Sequence, residues 1–345
     1  MRVLIAPDSF KECLSAAQVA ADLADGIRVA HPGWDVREIP LADGGEGTVS
    51  VLTRALGGRL ISRTVTGPLG RPVEALYGVA GDVAILEAAA ACGLSLVPPE
   101  RRNPLLTTTR GVGELLLAAL EQGCRHILIG LGGSATCDGG EGMLSIPGLV
   151  EKAAEATIEV LCDVDTPFIG PEGAARVFGP QKGATPEQIP LLEERMVRQA
   201  ERIKSRTGID VSYMPGAGAA GGLGGAMRAC LGATLVPGAD RIMDLVGFDQ
   251  ACQESDLIIT GEGRSDSQTL AGKVPYAVLR RSKGVPVALF SGKIEDRERL
   301  SQAGFRYLVQ VSPEGLPLKE VLRTETARRN LQQAVSKFIS QLGSR

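Results

Sequence analysis

Aromatic residues and histidines are scarce in this sequence. Phe, Trp and Tyr make up 3% of its 345 residues, and the only histidines are His31 and His126. Few aromatics argue against a surface that stacks nucleic-acid bases, and a net charge of −3 implies no broad attraction to nucleic acid or acidic lipid. We therefore expect neither a nucleic-acid partner nor a membrane partner.

Paired cysteine motifs are also missing. The seven cysteines are scattered, odd in number and never spaced as CxxC, so together with two histidines they form no plausible zinc set. Reduced thiols in a cytoplasmic protein explain them most simply. The chain begins directly with a strand pattern at Arg2–Ala6 and has no signal-peptide core, and no uncharged apolar run reaches the ~18 residues of a membrane span. We expect a cytoplasmic protein.

Several catalytic signatures do not occur. Gly272-Lys273 and Gly292-Lys293 lack the upstream glycine and the following Ser or Thr of GxxxxGK[ST], which disfavours a P-loop enzyme. The catalytic loop and DFG of protein kinases and the GxSxG elbow of serine hydrolases are absent as well. Gly216–Gly221 satisfies GxGxxG, and Asp240 lies beyond it, so an NAD(P)-dependent oxidoreductase is one alternative, although the strand pattern before it is weak.

The order of secondary-structure patterns predicts two α/β domains. Two βα units at the start and three at the end alternate apolar strands with helices, and neither set alone can bury a sheet on both faces. Together they predict a five-stranded, doubly wound parallel sheet in residues 1–64 and 256–345. Residues 65–255 are predicted to form a second α/β domain inserted into the first, with the active site in the cleft between the domains.

Local patterns predict individual elements. Ser15-Ala16-Ala17-Gln18 has the form of a capping box and predicts a helix start. Turn residues between two β-rich runs predict a hairpin over 64–79. Thr185, followed by Pro186, predicts the start of a long polar helix. Residues 261–268 are predicted to form a loop after a strand.

Polar, glycine-rich loops are the candidates for chemistry. Six glycines with Ser134, Thr136 and Asp138 occupy residues 130–142 after a buried strand, a pattern that lets the backbone approach an anionic ligand closely. Acids combined with cationic, glycine-rich loops fit phosphoryl transfer, in which the protein positions groups, neutralises charge and holds Mg²⁺ with few carboxylates. Further loops of this kind occupy residues 7–12, 42–48, 178–183 and 261–268.

Taken together, the ordered motifs resemble one family, the bacterial ATP-dependent glycerate kinases. The resemblance spans essentially the whole chain and implies that ATP phosphorylates D-glycerate to 2-phosphoglycerate with Mg²⁺. It also implies a flavodoxin-like doubly wound domain carrying an inserted α/β domain of restriction-endonuclease-like topology. Glycerate is then the small-molecule partner, and a homodimer is left open. The motifs are Ala6–Lys11, Ala42–Thr48, Gly132–Gly140, Phe178–Gly183, Pro215–Gly222 and Thr260–Gln268.

Phosphoryl transfer to an alcohol requires a base, cations and a carboxylate clamp. We assign Asp43 as the base, with Asp266 as its competitor, and Lys11 as the phosphate cation. Asp138 and Glu262 are the candidate Mg²⁺ ligands.

Substrate and nucleotide are assigned to further loop residues. Asp8 and Ser9 are candidates for binding the substrate, and Arg264 suits its carboxylate because a planar guanidinium can pair with it bidentately. The candidates for binding the nucleotide phosphates are Gly132, Gly133, Ser134, Thr136 and Lys182.

Two features depart from the family pattern. Cys137 stands where members usually have Asn. Members also usually carry a few dozen more residues before the segment matching Cys162–Pro167, a gap that Met143–Thr157 bridges here. If the missing piece closes the active site, turnover falls while the fold persists, so a kinase-like binding protein without activity is a second alternative. Neither the base nor the choice between 2- and 3-phosphoglycerate follows from the residues alone.

Overall fold

A computed structural model describes residues 1–342 and contains eleven strands and fifteen α-helices in that range. The strands are β1 (Arg2–Ile5), β2 (Asp35–Glu38), β3 (Arg59–Thr66), β4 (Pro72–Ala80), β5 (Val83–Glu87), β6 (His126–Gly130), β7 (Thr157–Leu161), β8 (Thr234–Val236), β9 (Leu257–Ser265), β10 (Val287–Ile294) and β11 (Tyr307–Gln310). The helices are α1 (Ala16–Ala30), α2 (Thr48–Ala55), α3 (Ala88–Cys92), α4 (Arg110–Glu121), α5 (Glu141–Leu144), α6 (Leu149–Ala153), α7 (Ala174–Phe178), α8 (Gln188–Thr207), α9 (Ala219–Cys230), α10 (Gly238–Leu245), α11 (Phe248–Gln253), α12 (Val274–Arg281), α13 (Arg297–Gln302), α14 (Leu318–Val321) and α15 (Thr324–Leu342).

The chain divides into two units, each with its own sheet. Met1–Asp43 and the chain from Ala239 onward form the parallel-sheet unit, and Gly44–Gly238 forms the mixed-sheet unit. Both combine a sheet with helices, so the fold is α/β. Both boundaries differ from the expected ones. The first lies at Asp43 and not at residue 64, because β3 pairs with β4 and α2 packs on β4. The second lies at Ala239 and not at residue 256, because Asp249 of α11 accepts a hydrogen bond from Arg281 of α12.

The parallel-sheet unit has five parallel strands in the order β2-β1-β9-β10-β11, which is 2-1-3-4-5 when counted within the unit. Val3 and Ile5 point to one face of the sheet and Leu4 to the other, and all three are at most 1% exposed. The sheet is therefore covered on both faces, as parallel sheets require. The strand order reverses between β1 and β9, and ligands of open α/β sheets bind beyond the carboxyl ends of such strands.

Helices α1 and α15 pack together over one face of this sheet. The predicted capping box is confirmed at the start of α1, because the backbone N–H of Gln18 donates to Ser15 Oγ and that of Ser15 donates to Gln18 Oε1 at 2.9 Å. Asp22 of α1 is fully buried and accepts hydrogen bonds from Arg328 of α15, the shortest of 2.7 Å. This ion pair ties the two helices to each other.

Strand β9 is longer than the sequence pattern indicates. It continues to Ser265 because it pairs with β10 along its whole second half, where Ser265 lies opposite Ile294. The predicted loop over 261–268 is therefore wrong for its first five residues. As a result, Glu262 and Arg264 are held on a strand.

The mixed-sheet unit has six strands in the order β3-β4-β5-β6-β7-β8. The predicted hairpin is confirmed, because β3 and β4 are antiparallel and the Gly67 N–H donates to the Arg71 carbonyl at 2.7 Å. Strands β5 to β8 are parallel. β6, which leads into the central glycine-rich loop, is paired on both sides.

Helix α8 begins at Gln188, with Glu187 as its N-cap, and not at Thr185. Thr185 lies before the helix, and its backbone N–H donates to Gln188 Oε1 at 3.0 Å. Pro190, and not Pro186, occupies the first turn, where the missing backbone N–H costs no hydrogen bond. The helix thus begins three residues after the expected cap, although the Ile189 N–H already donates to the Thr185 carbonyl at 3.3 Å.

Within residues 1–342, no helix is long and apolar enough to cross a membrane. All seven cysteines are unpaired thiols.

Candidate active site

Asp8 lies in the loop after β1, next to the point where the strand order reverses. Its backbone N–H donates to the Gly261 carbonyl of β9 at 2.8 Å, which fixes the loop against that strand. The carboxyl accepts the backbone N–H of Ser9 at 2.7 Å, and the residue is 6% exposed. Burial, followed by the negative charge of Asp43, raises the pKa of Asp8 to about 7.

The charges that act on Asp8 indicate which of the predicted site residues lie around it. The carboxylates of Asp43 and Glu262 both raise the pKa of Asp8, whereas the Lys11 ammonium lowers it. Such effects weaken as the distance between the charges grows. In addition, Ser9 Oγ is buried and has no hydrogen-bond partner among residues 1–342. The structure thus brings these five residues together and leaves a buried hydroxyl for a ligand to satisfy.

Glu262 is held by three donors that the sequence did not associate with it. Its Oε1 accepts Ser265 Oγ at 2.9 Å and Thr269 Oγ1 at 2.6 Å, and its Oε2 lies 3.3 Å from Lys273 Nζ. A metal ligand needs open lone pairs, and a neighbouring ammonium repels a cation. The predicted role of Glu262 as an Mg²⁺ ligand is therefore not favoured by its surroundings.

Arg264 and Asp266 are partly committed to other contacts. Arg264 is exposed, and its Nη2 donates to Glu295 at 2.6 Å while its Nε lies 3.6 Å from Asp266 Oδ2. The hydrogen bond with Glu295 raises the pKa of the guanidinium. Asp266 is an N-cap whose Oδ1 accepts the backbone N–H of Gln268 at 2.9 Å. Asp266, the competing candidate for the catalytic base, thus uses one carboxylate oxygen to cap a turn.

The central glycine-rich loop lies against the segment that follows Asp43. The Gly132 N–H donates to the Gly44 carbonyl at 3.2 Å. A Cβ at Gly132 would lie 2.6 Å from the Cα of Gly45, and one at Gly130 would overlap the Gly44 carbonyl oxygen. Glycine is needed here because two backbones approach each other closely.

We expect Gly130→Ala to destabilise the protein by roughly 2–4 kcal/mol, because the new methyl group meets backbone that cannot turn aside. Chemical denaturation of the two proteins measures the difference. Gly33→Ala is the matched control, since a Cβ there meets nothing within 4 Å. A loss for Gly130→Ala no larger than that of the control would contradict the close approach.

Lys182 contacts the predicted phosphate-binding residues Ser134 and Thr136, but it does so in the interior of the mixed-sheet unit. Its Nζ donates to Ser134 Oγ at 2.8 Å and to the Thr136 carbonyl at 2.6 Å, and Lys182 is 4% exposed. Burial lowers the pKa of this ammonium. Ser134 and Thr136 are buried too, whereas Gly132 and Gly133 are exposed. Only these two glycines of the predicted nucleotide site reach the surface.

Asp138 is surrounded by donors. It is 1% exposed and accepts the Thr109 N–H and hydroxyl, both at 2.9 Å, as well as the N–H groups of Gly140 at 3.1 Å and Gly142 at 3.2 Å. Three of these donors fill Oδ2, and the Gly140 N–H binds Oδ1. Among residues 1–342, no group of three His, Cys, Asp or Glu is arranged to hold a metal ion. These contacts give Asp138 a structural role in shaping the loop.

The GxGxxG segment does not have the geometry of a dinucleotide site. No strand lies between α8 and α9 in the described part of the chain, and Ala220, Gly221 and Gly222 interrupt α9 with φ angles of 51°, 69° and 93°. A dinucleotide fingerprint needs a strand immediately before a regular helix. Instead, the Gly221 carbonyl accepts the Gly139 N–H at 2.9 Å. The alternative of an NAD(P)-dependent oxidoreductase is contradicted.

Comparison with known proteins identifies the family. A model of the glycerate kinase family matches residues 3–150 and 145–343. The chain belongs to the glycerate kinase family. It is 43% identical to a glycerate kinase of Bacillus subtilis (strain 168), over 93% of this chain and 92% of that protein. It is also 43% identical to a glycerate 2-kinase of Escherichia coli (strain K12), over 86% of each chain.

A solved structure shares the family and the fold. A crystal structure from Salmonella typhimurium LT2, described as a glycerate kinase 2, superposes with a TM-score of 0.86 at 41% identity. The match covers 100% of this chain and 98% of that chain. The resemblance of the motifs to glycerate kinases is thereby confirmed.

The match to the glycerate kinase family is divided into two parts, and they overlap at 145–150, inside the shortened segment Met143–Thr157. In the structure this segment contains the second half of α5, all of α6 and a Gly148 with φ of 76° between them. β7 still pairs with β6 along all five residues, from Thr157 to Leu161. The shortening therefore leaves the central sheet intact.

Cys137, the other departure from the family pattern, is a packed core residue. It is fully buried, and burial raises the pKa of its thiol to about 11. It stays neutral near pH 7, which suits a side chain packed in the core and gives it no nucleophilic character.

Proposed function

We propose that this protein transfers the γ-phosphoryl group of ATP to the 2-hydroxyl of D-glycerate and releases 2-phosphoglycerate and ADP. Membership of the glycerate kinase family supports the reaction class, and ATP is the co-substrate that a kinase family implies. The observation that carries the proposal is the group of acids and a lysine around Asp8, beside the strands where the sheet order reverses.

Asp43 is proposed as the base that takes the proton of the acceptor hydroxyl as its oxygen attacks the γ-phosphorus. Its charge acts on buried Asp8, so the two carboxyls lie close together. Lys11 supplies positive charge to the same group and is proposed to neutralise the moving phosphoryl group. Asp266 is the weaker candidate, because its cap contact holds one oxygen in place. Asp8 and Ser9 are proposed to bind the acceptor.

The exposed backbone of Gly132 and Gly133 is proposed to contact the nucleotide phosphates. Lys182, Ser134 and Thr136 are proposed to act indirectly, because their buried hydrogen bonds hold the loop in shape. This assignment of direct and indirect roles is supported by exposure: the two glycines are exposed, whereas the other three residues are buried.

Mg²⁺ remains an expectation for phosphoryl transfer, but the surroundings of the two residues assigned to it do not favour it. Hydrogen bonds fill Glu262 Oε1 and Asp138 Oδ2, and the other oxygen of each carboxylate has one contact. Mg²⁺ is commonly held by one or two carboxylates together with substrate phosphates, so the missing set of three protein ligands in the described chain does not decide the matter.

For the finer architecture, we propose a flavodoxin-like topology for the parallel-sheet unit, which the 2-1-3-4-5 order supports. We propose a restriction-endonuclease-like topology for the mixed-sheet unit, in line with its antiparallel and parallel halves. The seven unpaired thiols support a cytoplasmic location. The homodimer and the position of the active site between the domains stay predictions.

The test is ADP release from ATP and Mg²⁺ with D-glycerate, with L-glycerate and no acceptor as controls. Release that depends on D-glycerate supports the proposal. If ATP raises the Tm but no ADP forms with any acceptor, the chain is instead a binding-competent protein without activity. The intact β6–β7 pairing beside the shortened segment favours the active outcome.

A further inference from the structure

Lys273 is a cation of the parallel-sheet unit that is held by a buried carboxylate on the same strand as Arg264. Its Nζ lies 3.3 Å from Glu262 Oε2, and the side chain of Glu262 is 7% exposed whereas that of Lys273 is 37% exposed. Glu262 is itself fixed by the hydroxyls of Ser265 and Thr269, both fully buried. The ammonium thus rests on a rigid support and still reaches solvent.

The ammonium retains donors for a ligand. Within residues 1–342, Glu262 is its single hydrogen-bond partner, and a lysine ammonium has three N–H groups. Glu262 also acts electrostatically on Asp8, so Lys273 contacts a carboxylate whose charge reaches the proposed acceptor site. In the sequence, Lys273 attracted notice only as part of an incomplete P-loop pattern.

An anionic acceptor needs such a cation. Asp8, Asp43 and Glu262 repel a carboxylate, and this repulsion must be offset where glycerate binds. Arg264, the residue first assigned to the carboxylate, is 62% exposed and already paired with Glu295 and Asp266. Lys273 is less exposed and makes a single contact, so N–H groups of its ammonium remain for a ligand.

We propose that Lys273, positioned by Glu262, binds the carboxylate of the acceptor, and that Arg264 does not. This inference rests on the proposed function, because it assigns a residue to the same acceptor site. Lys273 is a binding residue in this account, and Glu262 is a positioning residue that acts through it.

The test compares the steady-state kinetics of Lys273→Met, Lys273→Arg and Arg264→Met with those of the unchanged protein. Lys273→Met is expected to raise KM for D-glycerate by about 10- to 100-fold, the effect of losing one hydrogen bond to a charged group, with KM for ATP nearly unchanged. Lys273→Arg recovers part of this loss, and Arg264→Met changes KM less than threefold. Lys283→Met is the matched control, since Lys283 Nζ also lies 3.3 Å from a carboxylate, that of Asp249.

The outcomes separate the two proposals. No turnover of D-glycerate by the unchanged protein contradicts the proposed function. Normal turnover with an unchanged KM for D-glycerate in Lys273→Met contradicts the inference, as does a rise confined to KM for ATP. If Lys273→Met lowers the Tm substantially, Lys273→Gln and D-glycerate binding measured by calorimetry decide in the same way: retained affinity overturns the inference, and a loss of affinity supports it.

Discussion

Asp43→Asn is expected to lower kcat for D-glycerate phosphorylation by about 100-fold or more, because an amide cannot accept the proton of the attacking hydroxyl. KM for ATP should stay nearly unchanged, since the substitution does not alter the glycine-rich loop proposed to contact the nucleotide. Steady-state kinetics with both substrates varied separates the two effects. A loss below threefold would remove Asp43 from the chemistry.

Asp266→Asn is the informative companion to this variant. Asn can still cap the turn through its side-chain oxygen, so the fold around Gln268 is retained. If Asp43 is the base, Asp266→Asn reduces kcat by less than tenfold. The reverse ranking of the two variants would assign the proton transfer to Asp266.

Asp8→Asn is expected to stabilise the ligand-free protein at pH 8 while leaving its stability near pH 4 unchanged. The folded protein has a pKa of about 7 at Asp8, above the 3.8 of the unfolded chain, so it holds a proton that the unfolded chain releases. The contribution of this group to stability is fully present below pH 4 and is lost as the pH rises through 7. Asn keeps the acceptor for the Ser9 N–H and removes the ionisation, which at pH 8 yields a gain on the order of 2–4 kcal/mol.

Thermal unfolding at pH 4 and pH 8 measures this effect as a change in Tm. Asp22→Asn is the control of opposite sign, because buried Asp22 accepts three hydrogen bonds from Arg328, and removing its charge leaves that guanidinium without its partner. Asp22→Asn should lower the Tm at pH 8. If Asp8→Asn also lowers the Tm at pH 8, burial and the charge of Asp43 do not raise the pKa of Asp8.

Much of the architecture follows from local patterns in the sequence. The capping box at Ser15 and the hairpin around Gly67 depend on contacts a few residues apart, and both are present. Four strands of the parallel sheet could be recognised as short, largely apolar runs next to helices, whereas β2 has three charged residues among its four. By contrast, the length of β9 depends on its pairing with β10, which no local pattern shows. The start of α8 was misjudged because Pro186 and Pro190 are both compatible with a first turn.

The candidate site was predictable as a set of residues but not as a set of roles. Asp8 and Asp43 follow strands, and Glu262 was expected to follow one although it lies on β9, so the pattern placed all three at one sheet edge. What each side chain does depends on its neighbours in space. Glu262 and Asp138 both have the residue type of a metal ligand. In the structure, however, Lys273 lies beside Glu262, and Thr109 donates two hydrogen bonds to Asp138. Glycine followed by lysine ahead of a helix start was the one signal that could have drawn attention to Lys273.

The most direct test of the whole account is to identify the product formed from ATP, Mg²⁺ and D-glycerate by NMR. We expect 2-phosphoglycerate to accumulate in step with ADP, and L-glycerate to give neither. ADP formation independent of D-glycerate, or 3-phosphoglycerate as the product, would contradict it.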